Sequence, residues 1–142
     1  MKIEIENAKL IPIINFMYDL KLVRKESRFR RRFINLLSDR AKLVEEERKE
    51  ILETYAVKDE QGKAVIEDGN YKIENMHGLA EETQELLAEK LVIEGGDNYE
   101  LLKVINDILN DLVEEPYEGQ TSEIYDYLCE QFEPVQSGEV TS

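Results

Sequence analysis

Phe29, Phe33, Leu37, Val44, Ile51 and Tyr55 recur on one side of a single long run, and Leu36 broadens the stripe. The spacing predicts an amphipathic helix with Ser27 as N-cap, continuing to about Thr54 and spanning roughly 40 Å at 1.5 Å per residue. A one-sided apolar stripe has to be covered. The remaining segments are therefore bounded by having to supply that cover.

Those segments are short. Lys2 to Glu6 alternates charged and apolar residues, which predicts a half-buried strand. Asn7 is placed to cap a helix over about 8–22 that carries Leu10, Ile13, Ile14, Met17 and Leu20, with Pro12 in its first turn. Asp59-Glu60-Gln61-Gly62-Lys63 and Asp68-Gly69-Asn70 are turn signals and predict a small hairpin or ordered loop over 55–75. A helix over about 79–90, a strand at Leu91-Val92-Ile93 closed by Gly95-Gly96, and a helix over about 99–113 follow, the last ended by Pro116. Thr121 or Ser122 caps a final helix through Ile124, Tyr125, Leu128 and Phe132. The predicted class is mainly α (α+β): about four helices, one long and amphipathic, with a few short strands or a small antiparallel sheet. Residues 1–133 read as one compact domain and 134–142 as a flexible polar tail. The strand at 2–6 has two candidate partners, 91–94 and the central hairpin, and the sequence does not choose between them.

Charge is divided along the chain. Residues 1–42 hold 11 Lys/Arg against 5 Asp/Glu, and residues 43–142 hold 7 against 27, giving −14 overall. Lys21 to Arg32 alone carries seven positive charges and one negative. Basic residues early in the long helix and acidic ones late oppose the helix dipole, so local helix stability does not explain them. An acidic chain repels nucleic acid, whose binding depends on neutralising phosphates, so nucleic acid is not the expected partner. The N-terminus has acids where a signal peptide needs an apolar run, and Leu10 to Ile14 is too short to cross a bilayer. Cys129 is the single cysteine, which excludes an internal disulfide. A soluble protein that is not secreted is expected, with no membrane contact.

Four segments in this order resemble a family of small uncharacterised proteins from tailed bacteriophages and prophages of Gram-positive bacteria. They are Lys2-Ile3-Glu4-Ile5-Glu6, Lys25-Glu26-Ser27-Arg28 running into Arg31-Arg32-Phe33, Tyr55 to Lys63, and Ile124-Tyr125-Asp126 leading to Cys129-Glu130-Gln131-Phe132-Glu133. The resemblance covers roughly residues 1–133. It implies a phage protein working in the cytoplasm of an infected bacterium or on a phage particle. It brings no activity, cofactor or catalytic residue with it.

Two clusters carry candidate chemistry. Arg24, Arg28 and Arg31 fall near one helical face with Arg32 beside Arg28, and the planar guanidinium suits carboxylates and phosphates. The favoured reading docks these arginines on the protein's own acidic half, in cis or in a partner subunit. The competing reading is an interaction patch for another anion. The second cluster is Glu81, Glu82 and Glu85 on one helix and Asp107 on the next, a pattern that could hold Mg²⁺. It partly resembles all-α nucleoside triphosphate pyrophosphohydrolases. Their second motif requires Glu where this chain has Val104, and acid-rich helices generate E-E-x-x-E readily. His77 has no second histidine, Cys129 has no placed base, and Gly95-Gly96-Asp97 reads as a tight turn. Tyr117, Tyr125 and Tyr127 are candidate interface aromatics, although Tyr125 is expected to pack inward.

The reading is an accessory protein acting by protein–protein interaction without catalysis or cofactor, on a phage or host protein or as a homodimer. The alternatives are an acidic DNA mimic that binds a host DNA-handling enzyme, and a Mg²⁺-dependent nucleotide pyrophosphohydrolase.

Overall fold

The computed structural model describes residues 2–136. The predicted long helix is α2 (Arg24–Tyr55), and it is the spine of the molecule. It buries Phe29, Phe33, Leu37 and Val44, and α1 (Leu10–Tyr18), α3 (Met76–Ala88) and α4 (Asn98–Asp111) all pack on it. Helix α4 buries the most apolar side chains of the three, Leu101, Leu102, Val104, Ile105, Ile108 and Leu109. Helix α5 (Gly119–Gln131) lies on α1 and contributes Ile124 and Leu128. The rings of Phe33 and Phe132 meet edge to face at 6.2 Å, tying the chain's end to the centre of α2.

Strand β1 (Lys2–Glu6) pairs antiparallel with β4 (Lys90–Glu94), with Ile3 opposite Ile93. That register puts Ile3, Ile5 and Ile93 into the core and leaves the alternate residues toward solvent, and it answers the pairing question the sequence left open. The central hairpin pairs as β2 (Ile66–Glu67) and β3 (Asn70–Tyr71), and antiparallel bridges join Ala56 to Ile73 and Lys58 to Ala64. Asp68 and Gly69 both have positive φ, 52° and 81°, as a two-residue turn of this twist requires.

Several expected boundaries are corrected. The described residues hold six α-helices, not about four, and the one that no expected element accounts for lies where the supposed tail folds. A 3₁₀ turn, Asn7–Lys9, precedes α1, and α1 ends at Tyr18, where Arg30 donates to the carbonyls of Met17 and Tyr18, both at 3.4 Å, and of Leu20. Ser27 is not an N-cap, since α2 begins at Arg24 and the Ser27 hydroxyl accepts from Arg30 at 3.5 Å. Helix α3 starts three residues before Leu79 because Asn75 caps it, accepting from the Gly78 amide at 3.0 Å. Neither Thr121 nor Ser122 caps α5, which begins at Gly119. Pro134 does not open a tail: Glu133–Gln136 forms α6, with Val135 buried in the core. The rest of the expected tail, 137–142, lies outside the described residues.

Asn7 does not cap α1 either, and its actual role is larger. It is buried, donates from Nδ2 to the Leu86 carbonyl at 2.7 Å, and accepts from Arg40 Nε at 3.0 Å. Its amide donates to the Glu89 carbonyl at 2.8 Å. One side chain thus joins the end of β1 to α2 and α3. Asn106 is equally buried, but its Oδ1 has no partner among the described residues. The two asparagines should respond oppositely to mutation. Asn7→Ala removes both side-chain hydrogen bonds and leaves the Arg40 guanidinium without its acceptor, and should cost about 1–3 kcal/mol in chemical denaturation. Asn106→Leu removes an orphaned acceptor and should leave the denaturation midpoint unchanged or raise it.

Candidate functional site

The N-terminal half of α2 carries two kinds of cation, sorted by helical face. On the flanks, basic side chains are used internally. Arg30 and Arg40 bond the backbone and Asn7 as described above. Lys25 Nζ lies 2.7 Å from Glu100 on α4, an exposed pair that holds the Glu100 carboxyl below the usual carboxylate range. Lys25 and Arg32 also sit over the ring of buried Phe29, at 5.8 and 4.6 Å from its centroid.

The face opposite the buried stripe is different. Arg24, Arg28 and Arg31 follow one another there, all exposed, with no hydrogen bond or ion pair among the described residues. The row is about 10 Å long at 1.5 Å per residue. Docking of this row on the chain's own carboxylates is therefore not made. The reason is directional: burying the stripe Phe29–Phe33–Leu37 turns these arginines to the opposite, outward face of α2. Of the four predicted arginines, only Arg32 has a partner in the fold: it stays exposed, lies over the Phe29 ring, and adds to Lys25 in holding the Glu100 carboxyl low.

Arg24 also has φ of 54°, the left-handed region that a non-glycine residue enters at some energetic cost. Exposed Val23 and Tyr18 lie just before it in sequence.

The acidic candidate is not assembled. Glu82 accepts from the Tyr55 hydroxyl at 2.8 Å, and Glu81 lies 3.3 Å from His77 Nε2, one turn away on α3. Among the described residues no three His, Cys, Asp or Glu side chains come together as a metal-holding group. Gly95 and Gly96, with φ of 65° and 51°, form the tight turn into α4.

Sequence reasoning missed a groove of about 780 Å³ between α1 and the α4–α5 connection, with Phe16, Tyr117, Leu112 and Ile124 among its lining residues and Lys21, Asp19 and Glu115 among the polar ones. Phe16 meets Tyr117 edge to face at 5.4 Å and Tyr125 at 6.1 Å. No periodic signal marks this groove, because its parts come from two distant segments, 11–21 and 112–124. Tyr125 packs inward as expected and donates to the Leu109 carbonyl at 2.8 Å. Burial, then its contact with Cys129, pushes its hydroxyl up to about 12. Burial likewise raises the Cys129 thiol, which leaves it a poor nucleophile at neutral pH. Tyr127 accepts from the Glu6 amide at 3.0 Å, so it too serves the fold.

A family model described as protein of unknown function (DUF1617) matches residues 1–139, and the chain belongs to that family. No curated protein and no solved structure matches it.

Two outcomes follow from this geometry. Because the row touches nothing in the chain, Arg28→Glu with Arg31→Glu should change stability by less than about 0.5 kcal/mol in denaturant titration. A loss of several kcal/mol would mean that the row is bound internally. At alkaline pH the unfolded chain loses the Tyr125 proton near 10 while the folded chain keeps it to about 12. The stability that Tyr125 contributes should therefore be full below pH 10 and fall as pH rises through that window. Tyr125→Phe should shallow the fall without abolishing it, since burial raises Tyr117, Tyr127 and Cys129 in the same direction.

Proposed function

We propose that this DUF1617 protein is a non-catalytic accessory protein of a tailed bacteriophage or prophage. It works by protein–protein contact, and the arginine row of α2 seats on an acidic protein surface. The observation that carries this reading is that Arg24, Arg28 and Arg31 stand exposed on a rigid helix without an acid partner among the described residues. Three guanidinium forks one turn apart can each take a carboxylate in two parallel hydrogen bonds. The fold makes no use of them, and their position near the N-terminus of α2 works against the helix dipole.

A compact acidic patch suits the row better than a polyanion does. A nucleic acid long enough to extend past the row would run its phosphates over a molecule of net charge −14. A local carboxylate patch meets only the row, because charges beyond about 8 Å are screened at physiological salt. The phage setting rests on the resemblance of the four sequence segments, and it places the contact in the infected bacterial cytoplasm or on the particle.

Two measurements test the reading. In a phage that encodes the protein, the Arg28→Glu/Arg31→Glu allele should lower phage yield severalfold while the protein accumulates and melts normally. Unchanged yield would remove the row from function. Mg²⁺ with nucleoside triphosphates should leave the melting temperature where it was, whereas a ligand at about 100 times its Kd would add about 2.7 kcal/mol. A rise that disappears in Glu85→Gln or Asp107→Asn would replace the contact reading with a hydrolase.

A further inference from the structure

We infer that the acidic surface taken by the arginine row is helix α5 of a second copy of this chain; the inference rests on the contact reading above and names its partner. Glu123, Asp126 and Glu130 lie along the face of α5 opposite its buried Ile124 and Leu128, and all three are exposed. Glu133 continues the line where α6 opens. None of the four makes an ion pair or hydrogen bond among the described residues. The chain contains no Lys or Arg after Lys103, so α5 has no basic residue of its own to neutralise the stripe. Lys9 lies over the Tyr127 ring at 5.5 Å on the flank of that helix, without an ion pair to the stripe.

The two rows match in sign, in length and in order. Arg24, Arg28 and Arg31 are separated by four and three residues, and Glu130, Asp126 and Glu123, read in reverse, by the same intervals. Laid antiparallel, the helices set Arg24 against Glu130, Arg28 against Asp126 and Arg31 against Glu123, and Lys21 then comes opposite Glu133.

Helix dipoles favour the same orientation. Arg24 stands at the positive N-terminal end of α2 and Glu130 in the last turn at the negative C-terminal end of α5, so each of these two has the wrong sign for its own helix. Antiparallel docking brings each of them to a helix end of opposite sign. A single arrangement relieves both conflicts, and it draws on charges that the fold leaves unpaired. The same spacing recurs elsewhere but is not left free of internal partners or neighbouring cations. Glu46, Glu50 and Glu53 of α2 run in the opposite order among Lys42, Arg48 and Lys49, and in the set Glu82, Glu85 and Glu89 of α3 and its C-cap the first is taken by Tyr55. Glu81 is likewise engaged by His77. A two-fold pair would make the contact twice, since each copy carries both rows.

The test is sedimentation velocity of the full chain in about 0.15 M salt, where the Debye length of about 8 Å confines the interaction to the contact. The wild-type protein should self-associate as its concentration rises. Arg28→Glu/Arg31→Glu should weaken association more than about tenfold, and Glu123→Arg/Asp126→Arg should do the same, because like charges then face each other. An equimolar mixture of the two variants should restore association, since reversed rows complement each other across copies. Far-UV circular dichroism and melting temperature should match wild type for both, because all four positions are exposed.

A wild-type protein that stays monomeric, an unaffected reversal variant, or a mixture that fails to recover would each overturn the inference. The phage assay separates the two levels. A monomeric wild type together with a defective Arg28→Glu/Arg31→Glu allele would leave the contact reading standing with a different acidic partner. A silent allele would remove both.

Discussion

Everything in this fold depends on covering one side of α2. The stripe Phe29–Phe33–Leu37–Val44 is too long for any single neighbour, so segments from the whole chain are drawn onto it. Phe33 is fully buried against Phe132, almost a hundred residues later. The two-stranded sheet closes the same core, with Ile3 and Ile5 delivered by β1 and Ile93 by β4. Asn7 then fixes the seam where strand, spine and α3 meet. It can do so because every polar group it buries finds a partner.

Burying one side of the spine exposes the other, and charge follows that division. Arg30 and Arg40 sit where they can reach inward, and they bond a helix end and a buried amide. Arg24, Arg28 and Arg31 sit where they cannot. The same geometry governs α5, whose apolar side faces the core and whose carboxylates face out. The charge asymmetry of the sequence thus becomes a pair of outward-facing rows, one of each sign, on two helices held rigidly by a common core. Rigidity matters for recognition, because a row on a packed helix loses little conformational freedom when it is bound.

The periodic parts of this architecture were legible in the sequence. The α2 stripe, the alternation of Lys2–Glu6 and the leucine-rich α4 each repeat often enough to identify an element. Ends were less legible, because they are decided by contacts that periodicity does not encode. Helix α1 stops at Tyr18 where Arg30 takes its terminal carbonyls, although the apolar pattern runs on through Leu20 and Leu22. Val135 looked like part of a tail because a single apolar residue after Pro134 has no period, yet it is buried. Of the candidate site, the arginine face could be read from helical spacing alone. Its lack of an internal partner could not, since that depends on where the acids fall once the chain has folded. The same holds for Glu81, Glu82, Glu85 and Asp107, which spacing suggested as a set and folding does not gather.

The outward arginines of α2 are idle in the fold, and the proposed contact would engage them. Side-chain Nε–Hε resonances report this directly, one arginine at a time. In dilute protein the Arg24, Arg28 and Arg31 signals should exchange rapidly with water while Arg30 and Arg40 are protected, and on raising the concentration only the row should shift and gain protection. Row signals already protected in dilute protein, or unchanged across the whole concentration range, would contradict it.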